Sequence, residues 1–187
     1  MADESQEIKA VLEDRERNFL LSTSRVTMRS SLENIEVGDF KIESLKEGES
    51  VELPRWVAEE LVQMNLAEAS EEPFETEILK ALSREKMMGP LQLSSLPADF
   101  YNRMRRRLSY LGNSVKEGRV RREDYERLRA TSYDLIGMRL SKLLSLSSSS
   151  ATAAALGEKL TPEERTFFTV SQSISKEWRA AILGEGA

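Results

Sequence analysis

Apolar and polar positions follow three different patterns along the 187 residues. Residues 3–20 place a few apolar residues at roughly helical spacing among many charges, which predicts a short amphipathic helix. These apolar residues are Ile8, Val11, Leu12 and Phe19. From residue 24 to residue 54, apolar and polar residues alternate around turn-forming glycines, which predicts a small group of strands. After residue 73 the spacing is helical in every long segment.

The residues after the strands predict a helix that completes a small α+β module. Pro54 suits the first turn of a helix, because a backbone N–H is not needed there, and RWVAEELVQMNL follows it at helical spacing. We expect a core of Phe40, Trp56, Val57 and Leu61, with Trp56 as its anchor. A module of about 45 residues has only a small hydrophobic core, so we expect it to pack against another domain or protein.

The segment 119–146 carries an unusually wide apolar face. One stripe consists of Tyr125, Leu128, Ser132 and Leu135, and an adjacent stripe consists of Tyr133, Ile136, Leu140 and Leu143. A helix with two adjacent apolar stripes is expected to be buried from two directions. The second direction is either another helix of this chain or a helix of a partner subunit.

The ends of two helices carry local signals. Thr161 and Glu164 have the spacing of a capping box, with Pro162 at the first helical position, so a helix is predicted to begin here. Gly184 is predicted to end it. Gly112 and Gly118 are predicted to bracket a turn between two earlier helices.

Together these patterns predict a mainly α protein, in which a helical bundle domain follows a small α+β domain of short strands and a helix. The predicted parts are an N-terminal amphipathic extension at residues 1–23, the small domain at 24–70 and the helical domain at 71–187. The helical domain is the part expected to drive assembly.

Composition narrows the possible chemistry. The chain contains no histidine and no cysteine, which excludes serine and cysteine hydrolase triads and zinc sites built on imidazole or thiolate ligands. Its glycines form no phosphate-binding loop. Neighbouring acids such as Glu123 and Asp124 do not converge on a helix, and helix dipoles explain their positions. We therefore expect no enzymatic activity, no cofactor and no metal site.

Charge is distributed unevenly. The net charge is −8 over residues 1–70 and +6 over residues 97–146. The candidate surface for a partner or for nucleic acid consists of Arg103, Arg106, Arg107, Arg121 and Arg122. Three interpretations stay open: a solvated face with pairs inside the chain, a surface for an acidic protein, and a DNA-binding surface. A small DNA-binding regulator is therefore the alternative function, although no base-reading motif is present.

Several motifs resemble those of one family. The stretch VGDFKIESLKEGESVELPRWVAEELVQMNLAE at 37–68 resembles the small domain of GINS subunits. Three further stretches resemble the GINS helical domain: ILKALSREKMMGPLQLSSLPADFYNRMRRRL at 78–108, RLSKLLSL at 139–146 and LTPEERTFFTVSQSI at 160–174. Each motif alone is moderately specific, and their joint presence identifies the chain as similar to GINS proteins, with the small domain placed first.

The resemblance implies a function. GINS proteins are non-catalytic subunits of tetramers that act in DNA replication, where they join the MCM replicative helicase and a RecJ-like partner. It implies other GINS subunits, MCM and a RecJ-like protein as partners, with primase or polymerase as further candidates, weak or absent direct DNA contact, and no membrane. It also implies an archaeal-type protein in the cytoplasm, associated with the nucleoid, or in the nucleus if the source is eukaryotic.

We expect apolar residues of the helical domain to form its core and the subunit interface. These residues are Phe100, Met104, Leu108, Leu128, Leu135, Ile136, Leu140, Phe167 and Ile174. The resemblance leaves a homomeric and a heteromeric tetramer both open.

Overall fold

The computed structural model describes residues 2–37, 40–70, 72–149 and 153–184. The chain divides into two compact units, one formed by residues 14–72 and the other by residues 1–13 together with 73–187. The first helix, α1 (Ala2–Leu21), therefore contributes residues to both units. The predicted small domain began at residue 24, whereas the smaller unit already includes the last turns of α1.

The smaller unit is built on a three-stranded antiparallel sheet. Strands β1 (Thr23–Met28), β4 (Ser50–Pro54) and β5 (Ala67–Ala69) pair in the order β4-β1-β5. Strands β2 (Ile35–Val37) and β3 (Phe40–Ile42) form a separate antiparallel pair. Helix α2 (Arg55–Gln63) follows β4 directly. Pro54 is the residue before this helix, one position earlier than predicted.

The core of this unit lies between the sheet and α2. Val26 and Met28 alternate along β1 and are almost fully buried, and Val57 and Leu61 cover them from α2. Trp56 is 37% exposed, so its predicted role as the anchor of the core is wrong. The buried positions of this nine-residue helix are Arg55, Val57, Ala58 and Leu61, and Trp56 lies on the partly exposed side between them. The side chain of Phe40 lies outside the described part of the chain.

The larger unit is a helical bundle. Its long helices are α3 (Phe74–Met87), α4 (Phe100–Lys116), α5 (Arg122–Ser147) and α7 (Pro162–Leu183). A short helix, α6 (Ala153–Leu156), and a 3₁₀ turn (Gly157–Lys159) precede α7. The described residues thus form a mainly helical protein with a small N-terminal α+β part, which confirms the predicted fold class.

Helix α5 occupies the centre of the bundle and packs against α3, α4 and α7. One core cluster lies between α3, α4 and α5 around Phe100 and Leu135, neither of which is exposed. A second cluster lies between α5 and α7 around Phe168. Complete burial of a large apolar side chain contributes about 1.5–3 kcal/mol, so these clusters supply much of the bundle's stability.

The predicted helix ends are correct at α7, and of the two glycines predicted to bracket the turn before α5 only Gly118, with φ of 70°, lies in that turn. Thr161 accepts a hydrogen bond from the backbone of Glu164, whose carboxylate accepts one in return from the backbone of Thr161. Gly184 ends the helix in the left-handed conformation, with φ of 69°. Helix α4, however, continues through Gly112. A glycine inside a helix costs about 1 kcal/mol relative to alanine, which a 17-residue helix that packs on α5 tolerates.

A buried ion network joins the helices of the bundle. Arg139 of α5 is 1% exposed, and each of its five N–H groups has an acceptor. Its Nε and one terminal nitrogen donate to both carboxylate oxygens of Glu164 in α7. The other terminal nitrogen donates to Glu85 of α3 and to the carbonyl of Ser94, each at 2.8 Å. The fifth bond reaches the carbonyl of Lys159 at 3.0 Å.

The two carboxylates of this network are also satisfied. Glu85 accepts hydrogen bonds from Lys142 at 2.7 Å and from the Ser94 hydroxyl at 2.6 Å. Glu164 accepts one from the Tyr101 hydroxyl at 2.7 Å. Two cations and two anions make the network electrically neutral, and this balance is what permits four charges in a protein interior.

Ionisation in the network reflects burial and these contacts. Burial would raise the pKa of Glu85, but hydrogen bonds from Lys142 and Ser94 and the charge of Arg139 lower it below its ordinary value. Burial and the neighbouring charge of Glu164 raise the pKa of the Tyr101 hydroxyl. Burial would lower the pKa of Arg139, but its bonds to Glu164 hold it above the usual value. Arg139 and Glu85 are therefore charged near neutral pH, while Tyr101 is a neutral donor.

We expect Arg139→Met to lower the free energy of unfolding by about 3–5 kcal/mol, because it leaves Glu85 and Glu164 buried without their shared cation. The matched control is Arg122→Met on the same helix, whose side chain is 80% exposed; it is expected to cost less than about 1 kcal/mol. Urea denaturation followed by circular dichroism measures both. Equal losses in the two variants would contradict the assigned role of the network.

Acid is expected to weaken the bundle through Glu85. Since the folded pKa of Glu85 is lowered, its contribution is complete above the pKa of the unfolded chain and is lost as the pH falls through the folded value. We therefore expect Glu85→Gln to reduce the loss of unfolding free energy between about pH 5 and pH 3. Denaturant titrations at several pH values measure this slope. Glu75→Gln, on the same helix but at a half-exposed site, is the control, and an unchanged slope in Glu85→Gln would rule out this coupling.

Candidate protein interface

Most of the second apolar stripe of α5 faces away from the core. Tyr133, Ile136 and Leu140, together with the neighbouring Leu144, are 65%, 41%, 39% and 46% exposed. The first stripe is buried against α3 and α4, and Arg139 continues it into the ion network.

Leu143, the fourth predicted member of the second stripe, is 3% exposed and belongs to the cluster between α5 and α7. The intrachain alternative is therefore correct for Leu143, which α7 covers. Tyr133, Ile136 and Leu140 stay exposed in the described part of the chain.

Helix α7 carries a comparable stripe. Ile174, Trp178 and Ile182 recur at four-residue steps and are 50%, 65% and 67% exposed. Phe168, on the adjacent side of the helix, is fully buried against α5. Two neighbouring helices therefore each bury one side and expose a row of large apolar side chains on another. Exposed apolar patches of this kind mark sites of protein association.

The nine apolar residues predicted for core and interface fall into three groups. Phe100, Met104, Leu128 and Leu135 are buried in the core of this chain. Leu108 and Phe167 are half-buried and pack against the two core clusters. Ile136, Leu140 and Ile174 are exposed, and these three are the members of the set that a partner can reach.

The predicted interface set did not include four of the exposed residues, which are Tyr133, Leu144, Trp178 and Ile182. Their signal was present in the sequence, because Trp178 and Ile182 continue the helical spacing of Ile174. It was hidden because spacing alone does not say which side of a wide apolar face packs inside the chain.

Two of the five selected arginines are neutralised within the bundle. Arg103 donates to both carboxylate oxygens of Glu77 at 2.6 Å, and its side chain is 17% exposed. Arg107 donates to Glu75 at 2.7 Å. Both glutamates belong to α3, so these arginines join α4 to α3. For these two arginines the structure supports pairing inside the chain, and not the expected role as a surface for a partner or for nucleic acid. Arg106 is half-buried on the same helix.

The remaining two arginines lie at the start of α5 and are about four-fifths exposed. Arg121 pairs with Asp124 at 3.2 Å, and Arg122 pairs with Glu126 at 3.7 Å. Exposed pairs between residues three or four apart contribute little stability, so a partner can replace them at low cost. Arg129 lies two turns beyond Arg122, where a hydrogen bond to Tyr133 raises the pKa of its guanidinium.

Across the described residues, no three or more acids are grouped so that they could hold a metal ion. An open cleft of about 560 Å³ between α4 and α5 is lined by residues such as Ser109, Lys116 and Tyr125. In the described part of the chain, no helix is long and apolar enough to cross a membrane. The exposed rows of α5 and α7 are the surfaces suited to burial against another protein.

Comparison with known proteins supports this interpretation. The family model described as Sld5, GINS complex protein helical bundle domain, matches residues 56–183. The match begins in α2 and extends through β5 to the end of α7, which is more than half of the chain. No curated protein sequence matches the chain. The similarity inferred from the motifs is thus confirmed: the chain belongs to the GINS complex helical bundle family and is a GINS complex subunit of DNA replication.

Proposed function

We propose that this GINS subunit is a non-catalytic scaffold that assembles with other GINS subunits through the exposed stripes of α5 and α7. The resulting complex holds the MCM helicase and a RecJ-like protein in fixed relation. The observation that carries the proposal is the pair of exposed apolar rows on neighbouring helices, with Trp178 and Tyr133 as the largest side chains.

The energetics of these stripes favour a stable interface. Burying the exposed part of seven large side chains contributes on the order of 1 kcal/mol each. Association costs roughly 4–15 kcal/mol in lost freedom of motion, so most of the seven must be buried together for a tight complex. Trp and Tyr are the residues that most often dominate such interfaces. The rigid attachment of α5 and α7 through Arg139 lowers the ordering cost.

Charge favours protein partners over DNA for the helical unit. The intrachain bonds of Arg103 and Arg107 to Glu77 and Glu75 remove two of the five candidate phosphate contacts. Affinity for a phosphate backbone rises with the number of cations that it meets, so direct DNA contact is weak or absent. The smaller unit has a net charge of −7 over residues 14–72 and docks on a neighbouring subunit or on the helicase.

The proposal extends to the setting of the protein. The complex is archaeal in type, lies in the cytoplasm near the nucleoid, and includes primase or polymerase among its further contacts. Absence of histidine and cysteine from the whole chain supports a role without catalysis.

We expect the chain, alone or with a second GINS subunit, to have a mass in light scattering well above the 21.2 kDa of one chain. Ile136→Glu/Leu140→Glu and Ile174→Glu/Trp178→Glu are each expected to dissociate the complex, because they place charges in an apolar interface. Ser109→Glu/Asn113→Glu, two exposed polar residues of α4 outside both rows, is the control and should leave the mass unchanged. A monomer at micromolar concentration under both conditions would contradict the proposal.

Affinity purification of the tagged chain from its native cells is expected to recover MCM and a RecJ-like protein. Recovery of both should fall at least about tenfold for the variant Ile174→Glu/Trp178→Glu and persist for the control Ser109→Glu/Asn113→Glu. Salt-dependent binding to duplex DNA, with neither protein recovered, would instead favour the small DNA-binding regulator.

A further inference from the structure

The outward side of α3 differs from the rest of the bundle surface. Three of its residues are exposed cations, Lys80, Arg84 and Lys86. Two further exposed residues, Leu79 and Met87, are apolar, with exposures of 52% and 87%. From residue 76 to residue 91, where every residue is described, the exposed positions include no acid.

This charge asymmetry has a structural cause. Helix α3 contains three acids, and all three point toward other helices. Glu75 binds Arg107 and Glu77 binds Arg103, both on α4. Glu85 is buried with Arg139 and Lys142 of α5. The inward side of α3 therefore neutralises the arginines of its neighbours, and its own cations remain on the outward side.

The positive charge on this side is available to a ligand. Among the described residues, Arg84 and Lys86 form no ion pair and no hydrogen bond within the chain. Both are exposed, as is Lys80 on the preceding turn. A carboxylate that approaches this side can bind Arg84 and Lys86 directly, because neither side chain has to break an existing ion pair within the described residues.

The apolar residues on the outward side of α3 form a row that has a small residue at its centre. Leu79, Ser83 and Met87 are four residues apart and share one side of the helix. At 1.5 Å per residue, Leu79 and Met87 are about 12 Å apart along the axis, with the small Ser83 between them. Met88 and Leu91, which follow the helix in the chain, are 40% and 56% exposed. Methionine adapts its shape to a partner, which suits a surface that receives a peptide.

One end of the row opens into a cleft. Leu79 lines a cavity of about 380 Å³ between α3, α4 and α5, together with Ile78, Tyr110 and Leu128. Its charged lining is balanced, with the acids Glu75 and Asp124 and the bases Arg107 and Arg127. This cleft provides space for one apolar side chain of a ligand next to the exposed cations.

We propose that the outward side of α3, continued by Met88 and Leu91, is a docking site for an acidic amphipathic segment of a partner protein. The segment lies along the row with its apolar residues over Leu79 and Met87, and its carboxylates meet Arg84 and Lys86. Helices that dock in this way use apolar anchors three or four residues apart. Nucleic acid is a poorer fit, because a phosphate backbone does not use the four exposed apolar side chains.

The probe is a fluorescein-labelled synthetic peptide with leucine at every third or fourth position and glutamate elsewhere. Fluorescence anisotropy with the full chain at low salt is expected to show saturable binding. Arg84→Glu/Lys86→Glu and Leu79→Ser/Met87→Ser should each weaken it at least about tenfold. The control Lys41→Glu/Lys46→Glu makes the same change of charge at exposed positions of the smaller unit and should leave binding unchanged.

Four results would overturn the proposal. The first is no binding of the acidic peptide, and the second is an equal loss in the control, which would indicate general charge attraction. The third is duplex DNA binding that depends on the same residues. The fourth is a changed mass of Arg84→Glu/Lys86→Glu in light scattering, which would make this side a subunit interface. The proposed scaffold function fails separately, through the variants of α5 and α7.

Discussion

The bundle depends on one buried cation and the requirement that all of its hydrogen bonds be made. Arg139 lies in the central helix, where an unpaired guanidinium would cost several kcal/mol, a large part of the stability of a typical domain. Its planar fork has acceptors in fixed directions, from Glu85 of α3, Glu164 of α7 and two backbone carbonyls. Apolar packing tolerates small shifts of one helix along another, whereas these directed bonds do not. The network therefore sets the register of α3 and α7 on α5.

The same requirement determines what the surface offers. With one side of α5 committed to Arg139, the row that begins at Tyr133 is presented outward, and α7 presents the row of Trp178 beside its buried Phe168. The acids of α3 are drawn inward by the same need to balance cations. Both exposed surfaces, the apolar rows and the basic side of α3, are thus consequences of how charges are paired inside the bundle.

Sequence patterns predicted the elements and the fold class, because helical spacing, the capping box at Thr161 and the Gly184 end are local signals. They did not predict the ion network, although one sign of it is present in the sequence. Arg139 and Lys142 continue the apolar stripe of Leu128 and Leu135 at helical spacing. Charged residues in such positions point to burial with partners, and those partners lie up to 57 residues away in the chain. Exposure of Trp56 and pairing of Arg103 were beyond local signals for the same reason, since they depend on which residues the fold brings together.

The side chain of Glu164 makes two kinds of interaction that different residues usually make, a helix cap and a buried ion pair. Its carboxylate caps the first turn of α7 through the backbone of Thr161, and it also binds Arg139 in the interior. The first turn of a helix is ordinarily where backbone amides exchange with solvent most readily, because it can open by itself. In this protein, opening of the first turn would remove Glu164 from the buried guanidinium of Arg139. The start of α7 therefore unfolds only together with the bundle. The helix that carries Trp178 is thus held in place at its first turn.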